Sequence, residues 1–203
     1  MSEERISLLP LGDALTAADS IGIVELKAQS SVYRALLHRP TYAKAVNDVV
    51  DSLMSDDALD ARLRELVVMR IGWANGGVYE WSQHWHIAQL FGVDETELLA
   101  VREWEAHDHW SPADRTALRA TDEFVTTGTI SNETWSDCAI SFLTDGQRLA
   151  LVATIACWTM MSQLVRCLDV PLDSGLEPWP PDGRSPAAHE REGSHPQRAE
   201  VGR

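Results

Sequence analysis

Residues 62–92 read RLRELVVMRIGWANGGVYEWSQHWHIAQLFG, and this stretch decides the fold. Apolar residues recur at helical spacing on both sides of the pair Gly76 and Gly77. The pattern therefore predicts two helices joined by a short break. Gly92 marks the end of the second helix, because glycine is the residue that most often closes an α-helix.

Three side chains that can transfer protons lie in this stretch: Glu65, Glu80 and His84. Glu80 and His84 are four residues apart, so they lie on the same face of a helix. The first helix is apolar on nearly all sides, which indicates that Glu65 is buried. We expect His84 to be the main proton-transfer group, Glu80 to orient and tune it, and Glu65 to be a second acid or base.

A purely structural interpretation of the same residues stays open. Glu80 and His84 could form an ordinary ion pair on a helix surface, and Glu65 could form a buried salt bridge to an arginine. The aromatic side chains of Tyr79 and Trp81 favour a site withdrawn from water. There, burial raises the pKa of a carboxyl group and a neighbouring imidazolium lowers it.

The same stretch contains candidate substrate-binding groups. Arg70 could hold a substrate carboxylate or a partner glutamate. The backbone N–H groups near Gly77 lie at a helix N-terminus and could receive a carboxylate or enolate oxygen. Tyr79 and Trp81 are candidate lining residues. No HExxH spacing is present, and His86 points away from His84 on a helix, so we expect no metal.

The composition limits the partners. The formal charge is −14, so nucleic acid and membrane surfaces are excluded as expected partners because both are anionic. A small anionic substrate remains possible where a local positive group receives it. The N-terminus lacks the pattern of a signal peptide, and the apolar run 149–161 is too short to span a bilayer. We therefore expect a cytoplasmic protein with a core helix there.

The remaining chain predicts an all-α protein, because no segment shows sustained period-two alternation. We expect a poorly ordered N-terminal segment over 1–20 and one helical domain over 21–175. Residues 176–203 are rich in Pro, Gly and charge, which predicts a disordered tail. The expected helices are 21–37, 42–54, 59–73, 78–91, 94–106, 112–127, 132–142 and 145–168.

Several of these motifs together resemble the carboxymuconolactone decarboxylase family, whose superfamily includes the alkylhydroperoxidase-D-like (AhpD-like) thiol reductases. The resemblance rests on LRELVVMR, YEWSQHW and the following Gly92, with SNETW at 131–135 and VPLDSG at 170–175 as further matches. It covers roughly residues 36–175. It implies a compact helical AhpD-like fold and a homo-oligomer, often a trimer or hexamer, in which the tryptophan-rich helices could supply contacts.

In the thiol-reductase branch, the resemblance implies a glutamate, a CxxC pair and a histidine. These fall on Glu65, on Gly77 and Glu80, and on His84, so both cysteine positions lack sulfur. Because a thiolate is the nucleophile of that chemistry, we expect no thiol peroxidase activity. The decarboxylase branch, which carries YEW and the histidine, implies chemistry without a cofactor.

The leading expectation is therefore a decarboxylase-like enzyme that acts on a small unsaturated or oxygenated carboxylic acid or lactone. The first alternative is an isomerase, dehydratase or cyclase that tailors a natural-product intermediate with the same groups. The second is a non-catalytic helical oligomer that binds a ligand.

Overall fold

The computed structural model describes residues 5–55 and 57–186, and all regular structure in these residues is helical. This confirms the predicted all-α class. Ten α-helices and one 3₁₀ helix follow one another along the chain. They are α1 Leu11–Ser20, α2 Glu25–Gln29, α3 Ser31–Leu36, α4 Pro40–Ser55, α5 Ala61–Ala74, α6 Val78–Leu90, α7 Glu95–Ala100, the 3₁₀ helix Val101–Ala106, α8 Pro112–Thr127, α9 Asn132–Ser141 and α10 Asp145–Leu168.

Side-chain caps fix the starts of the long helices. The Asp60 carboxylate accepts from the backbone N–H of Leu63 at the start of α5. Ser111 and Thr144 form capping boxes at the starts of α8 and α10. Each cap satisfies N–H groups that have no partner inside the helix. These short polar signals explain why the predicted starts of α8 and α10 match the structure closely.

The N-terminal part differs from the prediction. Residues expected to be poorly ordered include α1, which packs Ala14 and Ala18 into the core. The single helix expected over 21–37 is two helices, because Ser30 is extended at ψ 148° and its hydroxyl accepts from Tyr33 N–H as the cap of α3. A side-chain cap thus starts a new helix where the apolar period alone suggests continuity.

Helix α5 lies at the centre of the molecule and packs against α6, α8 and α10. Its residues from Leu63 to Met69 are all buried, including Arg64 and Glu65. Gly72 permits the close approach of α6, because a Cβ atom there would lie 3.1 Å from the backbone nitrogen of Trp81. The two helices on either side of the glycine pair therefore form one rigid unit.

Helix α10 is the one helix among the described residues that is long and apolar enough to cross a membrane by length and composition. Half of its most apolar 18-residue window is buried in the protein, and it packs against α4, α5, α6 and α8. These contacts are those of a core helix. A core helix can have the length and apolar composition of a membrane-spanning helix.

The segment 176–186 packs on the body of the protein. Trp179 lies against Trp73 and Trp81, with ring centroids 5.9 and 6.2 Å apart. The Asp182 carboxylate accepts two hydrogen bonds from the buried Arg102 guanidinium, at 2.8 and 2.9 Å. An aromatic side chain and a buried charge thus anchor a segment whose composition favours disorder. Residues 187–203 of the predicted tail lie outside the described residues.

Candidate active site

A chain of hydrogen bonds joins Glu65, His84 and Trp158 across three helices. Nδ1 of His84 lies 2.8 Å from Oε2 of Glu65, and the indole N–H of Trp158 donates to Nε2 of His84 at 3.1 Å. Because an indole N–H can only donate, Nε2 must be the acceptor and Nδ1 must carry the proton. His84 is therefore held as the Nδ1–H tautomer, donating to Glu65.

This geometry corrects the predicted role of Glu80. We expected Glu80 to orient His84 because the two share a helix face, but the Nδ1–H of His84 donates to Glu65 on α5. The Glu80 side chain turns back toward the start of α6, where Oε2 would lie 3.4 Å from a Cβ atom on Gly77. Helix packing brings Glu65 within reach of the ring, and the i, i+4 spacing does not achieve this for Glu80.

Glu80 is a buried carboxyl group with an unsatisfied oxygen. Glu80 is 4% exposed, and its Oε2 atom has no hydrogen-bond partner. Burial raises the pKa of Glu80 to about 7, although the charge of a protonated His84 and the backbone N–H of Glu80 itself act to lower it. Burial therefore has a larger effect on the pKa of Glu80 than the charge of a neighbouring imidazolium would have. Near neutral pH, both protonation states of Glu80 are populated.

Glu80 and His84 line a cavity of about 520 Å³ between α6, α10 and the helices α2 to α4. This volume suits a small organic molecule. Much of its wall is apolar, and this part consists of Leu26, Val32, Val50, Met54, Ile87, Trp158 and Met161.

Two polar groups of side chains complete the wall. In the first, Asp173 accepts from the backbone N–H of Ser31 at 2.6 Å and from the Tyr79 hydroxyl at 3.3 Å, and it also bonds the Gln83 amide. In the second, Lys27 pairs with Asp51. Tyr79 lines the cavity, and burial raises its pKa above the ordinary range.

Arg70 lies outside this cavity, which corrects its predicted place in the site. Its guanidinium bonds both carboxylate oxygens of Asp122, at 2.5 and 3.0 Å, and donates to the carbonyl oxygens of Val101 and Arg102. Its hydrogen bonds therefore fix α5 to α8 and to the 3₁₀ helix. The sequence left open whether Arg70 holds a substrate carboxylate or a glutamate of the protein. In the structure its partner is a carboxylate of the protein, that of Asp122.

Trp81 and Gly77 also differ from their predicted binding roles. Trp81 is fully buried, and its indole N–H donates to the Pro180 carbonyl at 2.8 Å, so it anchors the C-terminal segment. The N–H of Gly77 donates to the Gly72 carbonyl at 2.7 Å and cannot receive a substrate oxygen. Gly77 instead gives space to Ser162, because a Cβ atom there would lie 2.6 Å from its hydroxyl oxygen.

The cysteines do not supply the missing thiol chemistry. Neither Cys138 nor Cys157 lines the cavity, and burial raises the pKa of both thiols, that of Cys157 to about 11. A thiol with such a pKa is protonated at neutral pH and is a poor nucleophile. Cys167 is exposed and also lies outside the cavity. Among the described residues, no group of three or more His, Cys, Asp or Glu side chains is placed to hold a metal ion.

Sequence reasoning missed several lining residues. Lys27, Asp51 and Gln83 line the cavity and were not singled out. Asp173 and Gln83 had a signal, since Asp173 belongs to the VPLDSG motif at 170–175 and Gln83 to the YEWSQHW motif at 79–85. Gln83 lies one helical turn after Tyr79, so the i, i+4 rule could have indicated their contact.

Comparison with solved structures gives a consistent fold. A cysteine-to-alanine variant of the debrominase Bmp8, in complex with 2,3,4-tribromopyrrole, is 16% identical in sequence. The match covers 85% of this chain and 94% of that one, with a TM-score of 0.70. An uncharacterized peroxidase-related protein of Ralstonia eutropha JMP134, described as an alkylhydroperoxidase AhpD core, is 19% identical and covers 84% and 92%, with a TM-score of 0.67.

A third structure, an uncharacterized peroxidase-related protein from Silicibacter sp. TM1040, is 12% identical and covers 86% of this chain and 91% of its own, with a TM-score of 0.67. At such low identities the similarity establishes the fold and leaves the activity open. No curated protein matches the sequence significantly.

Part of the sequence matches a family model. Residues 40–123, from α4 into α8, match the model of the carboxymuconolactone decarboxylase family. This region includes Glu65, Glu80 and His84, whereas Lys27, Trp158 and Asp173 lie outside it. Residues 40–123 are thus similar to the carboxymuconolactone decarboxylase family, and the fold is AhpD-like, as the resemblance predicted.

Proposed function

We propose that this chain is an enzyme without a cofactor that moves a proton on a small unsaturated, oxygenated compound, with Glu80 as the proton carrier. The observation that carries this proposal is the Glu80 carboxyl group, which lines the cavity and whose pKa burial raises to about 7. A general acid or base is most effective when its pKa is near the working pH.

The proposed step is a proton shift next to a carbonyl group. The ionised Glu80 carboxylate takes a proton from carbon, and the electron pair of that C–H bond delocalises into an enolate. The Glu80 carboxylic acid then returns the proton to another carbon of the same conjugated system. The substrate loses one proton and regains it, with no net change in atoms or electrons. The isomerisation therefore needs no oxidant, reductant or further reactant.

His84 has a supporting role in this proposal, in contrast to the leading role expected from the sequence. The lone pair of Nε2 is engaged by Trp158 and the Nδ1 proton by Glu65, so the ring is fixed in place. The fixed imidazole lines the cavity one helical turn after Glu80 and limits the space open to a ligand beside that carboxyl group. His84 is therefore a positioning residue for a ligand beside Glu80.

The isomerase, dehydratase or cyclase alternative thus fits the cavity better than decarboxylation. A decarboxylase must receive a carboxylate, but Asp51, Asp173 and Glu80 line the cavity, and its lysine is already paired with Asp51. Decarboxylation stays a second candidate because the family match favours it. The Bmp8 structure contains a small brominated ring, which supports a monocyclic ligand for a cavity of this fold.

Deuterium exchange tests the proposal. Purified protein is incubated in deuterated buffer with butenolide, cyclohexenone and a carboxylated unsaturated lactone, and mass spectrometry follows deuterium uptake while CO₂ is measured. We expect uptake without CO₂ release, and a loss of at least about 100-fold in Glu80→Gln. His84→Gln should lower the rate less.

The matched control is Glu133→Gln, which changes an exposed glutamate on α9. Exchange that is equally fast in Glu80→Gln and the wild type would overturn the mechanism. Release of CO₂ from the carboxylated lactone would favour the decarboxylase, and binding of a ring compound without any exchange would favour the ligand-binding alternative.

We also propose a homo-oligomer, a trimer or hexamer. Most tryptophans are poor candidates for its contacts, because Trp73, Trp104, Trp110 and Trp158 are buried within the chain, whereas Trp135 is exposed. Large exposed apolar side chains support subunit contacts better. They include Leu26, Leu90, Ile140, Leu143 and Leu149. Light scattering of the purified protein measures the mass directly.

A further inference from the structure

A second polar centre lies on the wall of the cavity formed by α2, α3 and α4. The Lys27 ammonium donates to Oδ1 of Asn47 at 2.9 Å and pairs with Asp51. The Tyr33 hydroxyl donates to the same Asn47 oxygen at 3.1 Å, and the Asn47 amide donates to Asp51 at 2.9 Å. Asn47 is 4% exposed, so this network is fixed from its buried side.

The network leaves one donor of Lys27 available. An ammonium group has three N–H donors, and Asn47 and Asp51 accept two of them. The side chain of Lys27 is 26% exposed, and Lys27, Tyr33 and Asp51 all line the cavity. The third N–H can therefore bind an oxygen atom of a molecule in the cavity.

The charges around Lys27 determine which kind of ligand oxygen its free N–H group can bind. The Asp51 carboxylate compensates the ammonium charge. The Asp173 carboxylate also lines the cavity, and its hydrogen-bond partners Ser31, Tyr79 and Gln83 are neutral. A ligand carboxylate in the same cavity would be repelled by this uncompensated negative charge. A neutral carbonyl oxygen accepts the Lys27 hydrogen bond without that repulsion.

We propose that Lys27, held by Asn47 and Asp51, is the recognition group for the oxygen of a neutral carbonyl compound, such as a cyclic enone, lactone or aryl ketone. This inference names the substrate class of the cavity and rests on the proposed function for the proton chemistry at Glu80. It replaces the small anionic ligand that the sequence left open. It also gives a developing enolate oxygen a cationic donor, which the Gly77 N–H does not provide.

Three ring compounds of similar size test the inference. Acetophenone carries a neutral carbonyl, ethylbenzene carries no oxygen, and benzoate is an anion. Ligand-observed NMR gives their dissociation constants at pH 8 for the wild-type protein and for Lys27→Met, Lys27→Arg and Asp51→Asn. The matched control is Lys44→Met, which removes an exposed lysine paired with Asp48 on α4. Thermal unfolding of each variant shows that it is folded.

The wild type should bind acetophenone about 10-fold more tightly than ethylbenzene, the gain expected of one hydrogen bond to a charged donor, and benzoate most weakly. Lys27→Met should remove the preference for acetophenone, Lys27→Arg should retain part of it, and Lys44→Met should leave it unchanged. Asp51→Asn should strengthen benzoate binding several-fold, because it leaves the ammonium uncompensated.

Equal affinity for acetophenone in the wild type and a folded Lys27→Met would overturn the inference, as would a wild type that prefers benzoate. Deuterium exchange separates this failure from failure of the proposed function. If wild-type exchange persists and depends on Glu80 while Lys27→Met binds acetophenone normally, only the role of Lys27 is wrong. If Glu80→Gln exchanges normally while Lys27→Met loses acetophenone binding, only the proton mechanism is wrong.

Discussion

The two glutamates of the site have opposite surroundings. Glu65 is fully buried and lies against His84 at 2.8 Å and Arg64 at 3.4 Å, so donors compensate its charge. Glu80 is buried with one oxygen that has no partner, so its neutral form is favoured. Divergent environments of this kind assign a structural or orienting role to one carboxyl group and proton transfer to the other.

The raised pKa of Glu80 makes the stability of the protein depend on pH. The pKa is about 7 in the folded protein and 4.5 ordinarily, so between these values the unfolded chain releases a proton that the folded protein retains. The contribution is complete below pH 4.5 and is lost as the pH rises to 7. We expect Glu80→Gln, which cannot ionise, to be more stable than the wild type above pH 7 by up to about 3 kcal/mol.

Urea unfolding of both proteins at pH 5 and pH 8 measures this difference. The gain from Glu80→Gln should be larger at pH 8 than at pH 5, and Glu133→Gln, at an exposed site, should shift neither value by more than about 0.5 kcal/mol. An equal effect of Glu80→Gln at both pH values would show that Glu80 ionises normally in the folded state.

At the scale of elements, the junction of α5 and α6 depends on contact with α10. Gly77 caps the start of α6, and a Cβ atom there would lie 2.6 Å from the Ser162 hydroxyl oxygen. That distance is much shorter than normal packing allows. The glycine is therefore explained by the position of α10, since its φ of −85° is accessible to any residue.

The Ser162 contact predicts a measurable coupling. Gly77→Ala should lower the free energy of unfolding by about 1–3 kcal/mol, the usual cost of overpacking. In a Ser162→Ala background the hydroxyl is absent, so the same Gly77→Ala change should cost clearly less. Denaturant unfolding of the four proteins gives the coupling energy. Additive effects of the two substitutions would contradict the proposed clash.

At the scale of the whole molecule, the C-terminal segment 176–186 links helices that are distant in sequence. Trp179 lies against Trp73 and Trp81, and its backbone N–H donates to the Ser82 hydroxyl at 3.2 Å. Arg102 lies over the rings of both Trp73 and Trp81, at 4.9 and 5.0 Å, while it bonds Asp182 in the segment. The segment therefore shields one side of the α5–α6 pair.

Loss of the Trp179 side chain should release this segment. We expect Trp179→Ala to lower the free energy of unfolding by about 2 kcal/mol, because the indole is only partly buried. Trypsin should then cleave after Arg184 faster than in the wild type. Glu177→Ala, at an exposed position of the same segment, is the control and should change neither measurement. Unchanged cleavage in Trp179→Ala would show that the ring does not anchor the segment.

Much of the fold could be predicted from local signals. The starts of α8 and α10 follow from cap residues, and the α5–α6 break follows from the glycine pair. The split at Ser30 and the 3₁₀ helix at 101–106 were missed, because a cap or a change of helix type alters the apolar period very little. Helix α1 was missed because its pattern is weak and its two buried residues are alanines.

The sequence by itself determined the all-α class, the similarity of residues 40–123 to the carboxymuconolactone decarboxylase family, and the position of Glu65, Glu80 and His84 in one short stretch. Helical periodicity, caps and glycine breaks act over a few residues, so these features can be read locally. Only the tertiary structure decided that Glu65 holds His84, that Arg70 pairs with Asp122, and which distant side chains complete the cavity. Those contacts depend on how the helices pack against one another, which local periodicity does not encode.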